Sequence, residues 1–206
     1  MRLREMRLIL ASGSPRRTEL LHTAGLQHEV IVSGADEDVE ETDPCALVEK
    51  LSARKAEEVY RRIEAAPEGY RIGMNGEYVV IGADTVVALD GRILGKPLDE
   101  EDAAAMLRML SGRPHHVCTG VTLHGRIHGR EKKYTFSEES TVHVDVLSEE
   151  EILSYIATGE PMDKAGSYGI QGAFSKFVTR IEGDYSNIVG LPVSGVYRAL
   201  KSFCGS

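Results

Sequence analysis

Short apolar runs and amphipathic segments follow one another along the chain, and they predict strands and helices in alternation. An apolar run over 8–11 precedes a polar turn and an amphipathic segment over 18–24, which is typical of a strand, a turn and a helix. The pattern continues to the end of the sequence. It predicts further strands over 29–32, 78–82, 85–89, 92–94, 117–123, 140–146 and 177–181, and further helices over 45–65, 99–112, 148–157 and from 192 onward.

Local turn and capping signals refine these elements. Asp90-Gly91 is a strong hairpin turn between two predicted strands. Ser148 and Glu151 form a capping box at a helix start, whereas Ala83-Asp84 interrupts an otherwise continuous apolar run. Because strands and helices alternate but one hairpin is evident, we predict an α/β fold with a mixed, twisted sheet and flanking helices.

The composition is that of an ordinary globular protein. The 206 residues suffice for one domain with a core, and 42% of them are hydrophobic. No apolar stretch is long enough to span a membrane. The charged segment 1–5 is too short to act as a signal peptide before the first strand. We therefore expect no membrane association.

Charge and cysteine content narrow the functional class. The net charge of −8 at pH 7 repels nucleic acids and acidic membranes, so neither is expected as a partner. A bound polyanion then needs a local basic cluster, often helped by a metal ion, and a small phosphorylated ligand fits best. Cys45, Cys118 and Cys204 are odd in number and lack metal-ligand spacing, which predicts free thiols in a reducing, cytoplasmic compartment.

The polar turn over 12–17 carries the first candidate chemistry. Ser14 and Pro15 suit the N-cap and the first position of the following helix. Arg16 and Arg17 open a helix end that is already positive, a placement that costs roughly 0.3–1 kcal/mol per charge. Free N–H groups and two guanidinium groups at one helix start predict a phosphate site. The alternative is a plain strand-to-helix turn with solvated arginines.

Asp84 lies inside the apolar run over 79–87, where a carboxylate is costly without a cation, a metal or several donors. It is therefore either a structural ion pair or a catalytic or metal-binding group. The hairpin brings Lys96 back beside this strand. Strict alternation places Lys96 on the face of Thr85, so a contact between Lys96 and Asp84 requires a bulge.

Four further segments are ambiguous when each is taken alone. Arg54-Lys55 suits a solvated helix face. The glycine-rich segment 163–172 is neither a dinucleotide fingerprint nor a P-loop, and it fits a flexible loop or a ligand cradle. The segment 182–185 fits an acidic turn or part of a metal shell. His115-His116 would point to opposite faces of a strand, and we predict that both are structural.

Taken together, six motifs occur in a specific order and spacing. They are Ser12-Gly13-Ser14-Pro15-Arg16-Arg17, Ala83-Asp84-Thr85-Val86-Val87, Gly95-Lys96-Pro97, Ser111-Gly112-Arg113, Asp163-Lys164-Ala165-Gly166-Ser167-Tyr168-Gly169-Ile170-Gln171-Gly172 and Glu182-Gly183-Asp184-Tyr185. In this order the chain resembles the Maf family, the septum-formation-inhibitor-like nucleoside triphosphate pyrophosphatases. The resemblance extends from the first strand to the last helix.

The resemblance implies a fold and an activity. It implies a single domain over 1–206, elongated, with two lobes around a central cleft as in inosine triphosphate pyrophosphatases. It also implies cleavage of a nucleoside triphosphate between the α and β phosphates, which gives a monophosphate and pyrophosphate. The implied cofactor is a divalent cation, Mg²⁺ or Mn²⁺. Because family members are often dimers, the resemblance also suggests a homodimer.

Site residues carry over from the family by position. Asp84 is then the expected catalytic base. The other positions implied to be functional are Ser12, Arg16, Arg17, Glu37, Lys55 and Lys96.

Residue chemistry suggests how these side chains divide the work. We expect Arg17, Lys55 and Lys96 to bind the triphosphate, and the N–H groups of the turn that holds Ser14 to receive a phosphate oxygen. The carboxylates of Glu37 and Asp84 are expected to bind the metal. Since a carboxylate beside a cation is a weak base, the metal would share in deprotonating the attacking water.

Three positions bear on the nucleotide base. Arg16, Thr85 and Gln171 resemble the family branch that acts on dTTP and UTP, and not the branch for 7-methyl-GTP. A glutamine amide can pair with the O and N–H edge of uracil or thymine. The alternatives are a 7-methyl-GTP pyrophosphatase and a nucleotide-binding regulator of cell division with weak hydrolysis. The loop 67–76 is longer than the family pattern and bears on the rim of the cleft.

Overall fold

The computed structural model describes residues 6–70 and 76–205. The strands are β1 (Arg7–Leu10), β2 (His28–Val30), β3 (Tyr78–Leu89), β4 (Arg92–Leu94), β5 (Pro114–Ile127), β6 (Arg130–Val144) and β7 (Val178–Glu182). The α-helices are α1 (Pro15–Thr23), α2 (Pro44–Ala65), α3 (Glu100–Leu110), α4 (Glu149–Ile156), α5 (Tyr185–Val189) and α6 (Val193–Gly205).

Part of the predicted loop 67–76 lies outside the described residues, as does the segment 1–5. The first residues of this loop, Pro67–Tyr70, form a 3₁₀ turn after α2. Within the described ranges, no helix has the length and apolar character needed to cross a membrane.

All seven strands form one mixed sheet in the order β2-β1-β3-β5-β6-β7, and β4 pairs with β3 outside this path. β1 is parallel to both β2 and β3, whereas the remaining pairs are antiparallel. The Asp90-Gly91 hairpin joins β3 to β4 as predicted, and both turn residues have positive φ values, 50° and 73°. The predicted α/β fold with a mixed sheet and flanking helices is confirmed.

β3 is a single strand of 12 residues, so the predicted interruption at Ala83-Asp84 is wrong. Both residues keep their register with β5, where Ala83 lies opposite Val121 and Asp84 lies opposite Gly120. A charged side chain does not disturb backbone pairing because it leaves the plane of the sheet. Asp84 therefore stands on a rigid strand.

The hairpin of β5 and β6 is much longer than the predicted strands over 117–123 and 140–146. The two strands pair from Pro114 opposite His143 to Ile127 opposite Arg130. The first half of β6 is largely charged and polar, with little burial. It therefore lacks the apolar signal from which a strand is predicted.

The central strands are buried on both faces, which explains why they read as continuous apolar runs. On one face, Ile9 and Val80 pack with the apolar side of α2. On the other face, Ile81 packs with Leu21 of α1 and Leu200 of α6. Full burial of such side chains contributes about 1.5–3 kcal/mol each.

Two glycines let α2 lie very close to the sheet. A Cβ atom at Gly82 would come 2.2 Å from the carbonyl oxygen of Ser52, and one at Gly120 would come 2.2 Å from that of Val48. Any side chain at either position would push α2 away from β3 and β5. This close approach brings Lys55 of α2 within reach of Asp84.

Most helix starts follow their predicted signals. Asp99 caps α3, and Ser148 and Glu151 form the complete predicted capping box of α4. α1 begins at Pro15 after Ser14, as predicted. The Ser14 side chain, however, makes no capping hydrogen bond.

Candidate active site

The candidate site lies at a gap along one edge of β3. On that edge β1 pairs with β3 as far as Ile81, and β4 pairs with it from Val87, while β5 covers the opposite edge. Residues 82–86 thus have none of the described strands beside them on the first edge. A cleft of about 940 Å³ opens there. It lies at the carboxyl end of β1, where open α/β sheets commonly bind ligands.

On the face of β3 covered by α2, Asp84 forms a largely buried ion pair with Lys55. Lys55 Nζ lies 2.5 Å from Asp84 Oδ1 and 2.8 Å from Glu37 Oε1. The side chains of Lys55 and Asp84 are 13% and 15% exposed, whereas that of Glu37 is 65% exposed. Removing Lys55 would leave the buried Asp84 carboxylate without its ion-pair partner, whereas Lys55 without Asp84 would keep its pair with Glu37.

The hydrogen bond from Lys55 lowers the pKa of Glu37, and the charges of Lys55, Lys96 and Arg17 act in the same direction. Burial opposes this effect but is outweighed. Glu37 is therefore ionised at neutral pH. The cleft holds two carboxylates around one ammonium group.

Arg54 fixes the segment that carries Glu37. Its Nη1 group donates to the carbonyl oxygen of Asp38 at 2.7 Å and to that of Asp36 at 3.3 Å. These bonds bind the backbone on either side of Glu37, whose side chain reaches Lys55. The prediction that Arg54 and Lys55 lie on a solvated helix face is confirmed for Arg54, which is exposed. It is wrong for Lys55, which is largely buried and paired with Asp84.

On the opposite face of β3, Arg17 is held by three hydrogen bonds. Nε donates to the Gly190 carbonyl at 2.8 Å, Nη1 to Ser12 Oγ at 2.9 Å and Nη2 to Thr85 Oγ1 at 3.2 Å. A guanidinium group has five N–H donors, so others remain for a ligand. Burial lowers the pKa of Arg17 and the charge of Asp84 opposes that shift. An arginine nevertheless stays protonated at neutral pH.

Thr85 links this arginine to the core of the sheet. Its Oγ1 atom lies 2.9 Å from Thr119 Oγ1, and Thr119 in turn donates to the carbonyl oxygen of Asn187 at 2.9 Å. Thr85 thus lines the cleft while also fixing the direction of Arg17.

The turn over 12–17 faces the cleft and meets the glycine-rich segment. Arg16 Nη1 lies 3.3 Å from Asp163 Oδ2. The Ser14 N–H group donates to Ser12 Oγ at 3.3 Å. All of these residues line the cleft, so the start of α1 opens toward it.

Lys96 and Gln171 line the same cleft from two other segments. Lys96 follows β4 and is exposed. Among the described residues, no ion pair joins Lys96 to Asp84. The contact between these two side chains, which would have required a bulge, is therefore not formed. Asp84 points toward α2, and its carboxylate is paired with Lys55.

The glycine-rich segment folds around Glu160, a residue that the sequence analysis did not single out. Glu160 Oε2 accepts a hydrogen bond from the Ala173 N–H group at 2.9 Å, and Oε1 accepts one from the Tyr155 hydroxyl at 2.9 Å. A Cβ atom at Gly172 would come 2.0 Å from Glu160 Oε1. The glycine therefore lets the segment wrap closely and carry Gln171 to the cleft.

Asp184 and His115, from two other predicted segments, serve the fold. Asp184 accepts a hydrogen bond from the Ser186 N–H group at 2.7 Å at the start of α5, which favours the acidic turn over the metal shell. His115 is buried and its Nε2 atom lies 2.7 Å from the Tyr168 hydroxyl, whereas His116 is exposed. Their predicted opposite orientation is confirmed.

The donor set of the cleft fits a hard divalent cation. The carboxylates of Glu37 and Asp84 already converge on one positive group, the Lys55 ammonium. Carboxylate and phosphate oxygens are the ligands that Mg²⁺ and Mn²⁺ prefer. A metal ion bound by both carboxylates would require Lys55 to release at least one of them.

Fold and cleft together define an α/β protein with a cleft lined by lysine and arginine side chains and by carboxylates. The family model for Maf-like proteins matches residues 7–203. The chain therefore belongs to the Maf family, and the resemblance seen in its motifs is confirmed.

Similar proteins share nearly the full length of the chain. A protein of Agathobacter rectalis named dTTP/UTP pyrophosphatase is 48% identical over 94% of this chain and 96% of its own. A Geobacillus protein of the same name is 51% identical over the same shares. A third, from Bacillus thuringiensis, is 46% identical over 96% of this chain and 95% of its own.

Proposed function

We propose that this protein is a metal-dependent nucleoside triphosphate pyrophosphatase that hydrolyses dTTP and UTP to the monophosphate and pyrophosphate. One observation carries the proposal most strongly: the buried Asp84–Lys55 pair stands at the gap in β3, in a cleft that also presents Arg17. A buried carboxylate beside several cations suits a reaction that needs a proton acceptor next to a polyanion. The names of the relatives support the same conclusion.

The cations of the cleft bind the triphosphate. Arg17 offers its remaining N–H groups in a direction fixed by Ser12 and Thr85, and Lys96 adds an exposed charge to the cleft. Charge-assisted hydrogen bonds of this kind are worth roughly 1.5–3 kcal/mol each. The N–H groups at the start of α1, around Ser14, provide a further phosphate contact.

Asp84 accepts the proton of the attacking water. Its Oδ1 atom contacts Lys55, which leaves Oδ2 to orient a water molecule. The water oxygen bonds to the α-phosphorus, the bond from that phosphorus to the bridging oxygen breaks, and pyrophosphate leaves with the electron pair. Asp84, Glu37 and the phosphates would hold the Mg²⁺ or Mn²⁺ ion, which neutralises phosphate charge and acidifies bound water.

The base is recognised on the side of the glycine-rich segment. Gln171 offers both an acceptor and a donor, as the O and N–H edge of uracil or thymine requires. Arg16 lies beside the same segment through Asp163. Uridine and thymidine share this edge, which accounts for a site that accepts both dTTP and UTP.

The proposal also covers the domain organisation, the oligomeric state and the cellular compartment of the protein. We infer a single domain over 1–206 with two lobes around the cleft, and a homodimer. Free thiols at Cys45 and Cys118 support a reducing, cytoplasmic environment.

A nucleotide panel tests the proposed activity. The purified protein is incubated with dTTP, UTP, CTP, ATP, GTP and 7-methyl-GTP, each with Mg²⁺, with Mn²⁺ and with a chelator, and the products are identified by chromatography. The proposal predicts dTMP or UMP with pyrophosphate, and no turnover with the chelator. Preference for 7-methyl-GTP would establish the alternative pyrophosphatase. No turnover of any nucleotide, with binding retained, would favour a nucleotide-binding regulator.

A further inference from the structure

A second cluster of polar side chains lies away from the Lys55–Asp84 pair, at the start of α2. Cys45 is in the first turn of α2, Cys118 is on β5, and Glu139 lies directly opposite Cys118 on β6. The two cysteines are 73 residues apart in sequence. No spacing rule could therefore join them, and only the packing of α2 on the sheet does so.

Three donor atoms converge in this cluster. Cys45 Sγ lies 2.7 Å from Cys118 Sγ. Both thiols face the same carboxylate oxygen, Glu139 Oε2, at 3.9 Å from Cys45 and 3.4 Å from Cys118. The other oxygen of Glu139 lies 3.4 Å from His116 Nδ1. Two thiols and a carboxylate thus converge within a few ångströms, and His116 contacts the outer oxygen of that carboxylate.

The cluster combines one exposed carboxylate with two thiols of different exposure. Cys118 is fully buried, and Cys45 is partly exposed, so solvent can reach the cluster from one side. Among the described residues, His116 is the single basic group that pairs with Glu139.

We propose that Cys45, Cys118 and Glu139 bind a thiophilic divalent cation such as Zn²⁺. Zinc sites in proteins are built from these ligand types, with bonds of about 2.0–2.3 Å. Binding releases the two thiol protons to solvent and replaces them with one dication. Because the sulfur atoms now lie closer together than two ligands of one ion, the half-buried Cys45 side chain must rotate slightly. A disulfide between the same cysteines is the competing outcome. A disulfide would not involve the Glu139 carboxylate, whereas a bound cation would.

Such a site would join the first turn of α2 to β5 and β6. It is separate from the carboxylates of the cleft and uses sulfur ligands, so it is independent of the proposed pyrophosphatase activity. An ion that binds only the folded chain stabilises it, and the effect grows with ion concentration.

The test uses the full chain, freshly reduced and stripped of metal. Co²⁺ and Zn²⁺ are titrated separately into the wild type and into Cys45→Ser, Cys118→Ser and Glu139→Gln. A matched control is Cys204→Ser, which removes the third thiol and leaves the cluster whole. The readouts are the thiolate-to-cobalt charge-transfer band, the Zn²⁺ affinity and the melting temperature. Because cleft carboxylates give no such band, the spectrum separates the two sites.

We expect one Co²⁺ per chain with a thiolate band, and a higher melting temperature with Zn²⁺, in both the wild type and the control. Either serine variant should lose the band, and Glu139→Gln, which keeps both thiols and an exposed position, should bind Zn²⁺ at least tenfold more weakly. The absence of a thiolate band in the reduced wild type would overturn the proposal. So would a Cys45–Cys118 disulfide in protein isolated without air, or unchanged affinity in Glu139→Gln.

Discussion

Two regions of this sheet bury a titratable side chain, and they treat it in opposite ways. In the cleft, Asp84 keeps a cationic partner, Lys55, at 2.5 Å, with Arg17 on the other face of the same strand. On β5, His115 is enclosed by the apolar core and meets the neutral hydroxyl of Tyr168. Burial lowers the pKa of His115 to about 4. The core therefore holds a neutral imidazole, whereas the cleft holds a set of charges.

The difference shows what each region is built for. An ion pair at the bottom of an open cleft is weak evidence for stability, since desolvation offsets much of its attraction. It is suited to exchanging partners with a charged ligand. A neutral hydrogen-bonded pair in the core contributes to stability and offers a ligand nothing. Loss of Asp84 should therefore affect turnover, and protonation of His115 should affect the fold.

The largest effect is expected from Asp84→Asn. We expect kcat for dTTP to fall by about 10²-fold or more, because the amide cannot accept the proton of water. The melting temperature should change little, since the exchange preserves shape and Lys55 keeps its ion pair with Glu37. A matched control is Asp90→Asn, at the end of the same strand and paired with Arg113, which should keep full turnover. Near-normal turnover in Asp84→Asn would show that Asp84 is not the proton acceptor of the reaction.

A smaller effect is expected from acid. The folded pKa of His115 is depressed, so the unfolded chain binds more protons between about pH 6.5 and pH 4, and stability falls as the pH falls through that range. The loss should reach about 2 kcal/mol at pH 5 relative to pH 7. Urea unfolding at both pH values measures this loss. In His115→Gln the free energy of unfolding should fall by about 2 kcal/mol less between pH 7 and pH 5. The exposed His22→Gln should behave as the wild type, and an equal dependence in His115→Gln would contradict the assignment.

The smallest effect is expected from Gln171→Glu. Replacing a donor by a charged acceptor removes one pairing partner of the pyrimidine base, which is worth roughly 1 kcal/mol. We expect kcat/KM for dTTP relative to GTP to fall by about fivefold. The exposed Gln27→Glu is the matched control and should leave this ratio unchanged. An unaltered nucleotide profile in Gln171→Glu would place the base elsewhere.

Much of the fold was predictable from the sequence because it rests on local signals. The Asp90-Gly91 turn, the Ser148 capping box and the apolar runs of β1 and β3 each depend on neighbouring residues alone. The length of β6 was not predictable, because its first half is largely polar and is held by pairing with β5. The prediction that the strand is interrupted at Asp84 was wrong for the same reason. Pairing with β5 keeps β3 continuous despite the polar residue.

The candidate site was predictable as a set of residues and not as a geometry. The motifs indicated Arg17, Asp84 and Lys96, but the partner of Asp84 proved to be Lys55 on a helix. That contact depends on the glycine-permitted approach of α2 to β3, which no local pattern reveals. The support of Arg54 for the Glu37 segment is likewise a long-range contact.

The central claim is that the cations of the cleft bind a triphosphate, and one binding measurement tests it most directly. An α,β-imido analogue of dTTP, which is not cleaved at that bond, is titrated calorimetrically with Mg²⁺ into the wild type, Arg17→Gln and Lys96→Gln. The exposed Arg108→Gln, paired with Glu149, is the control. We expect stoichiometric binding that is weakened roughly 10- to 100-fold in Arg17→Gln and less in the exposed Lys96→Gln, with no change in the control. Equal affinity in all four folded proteins would contradict the account.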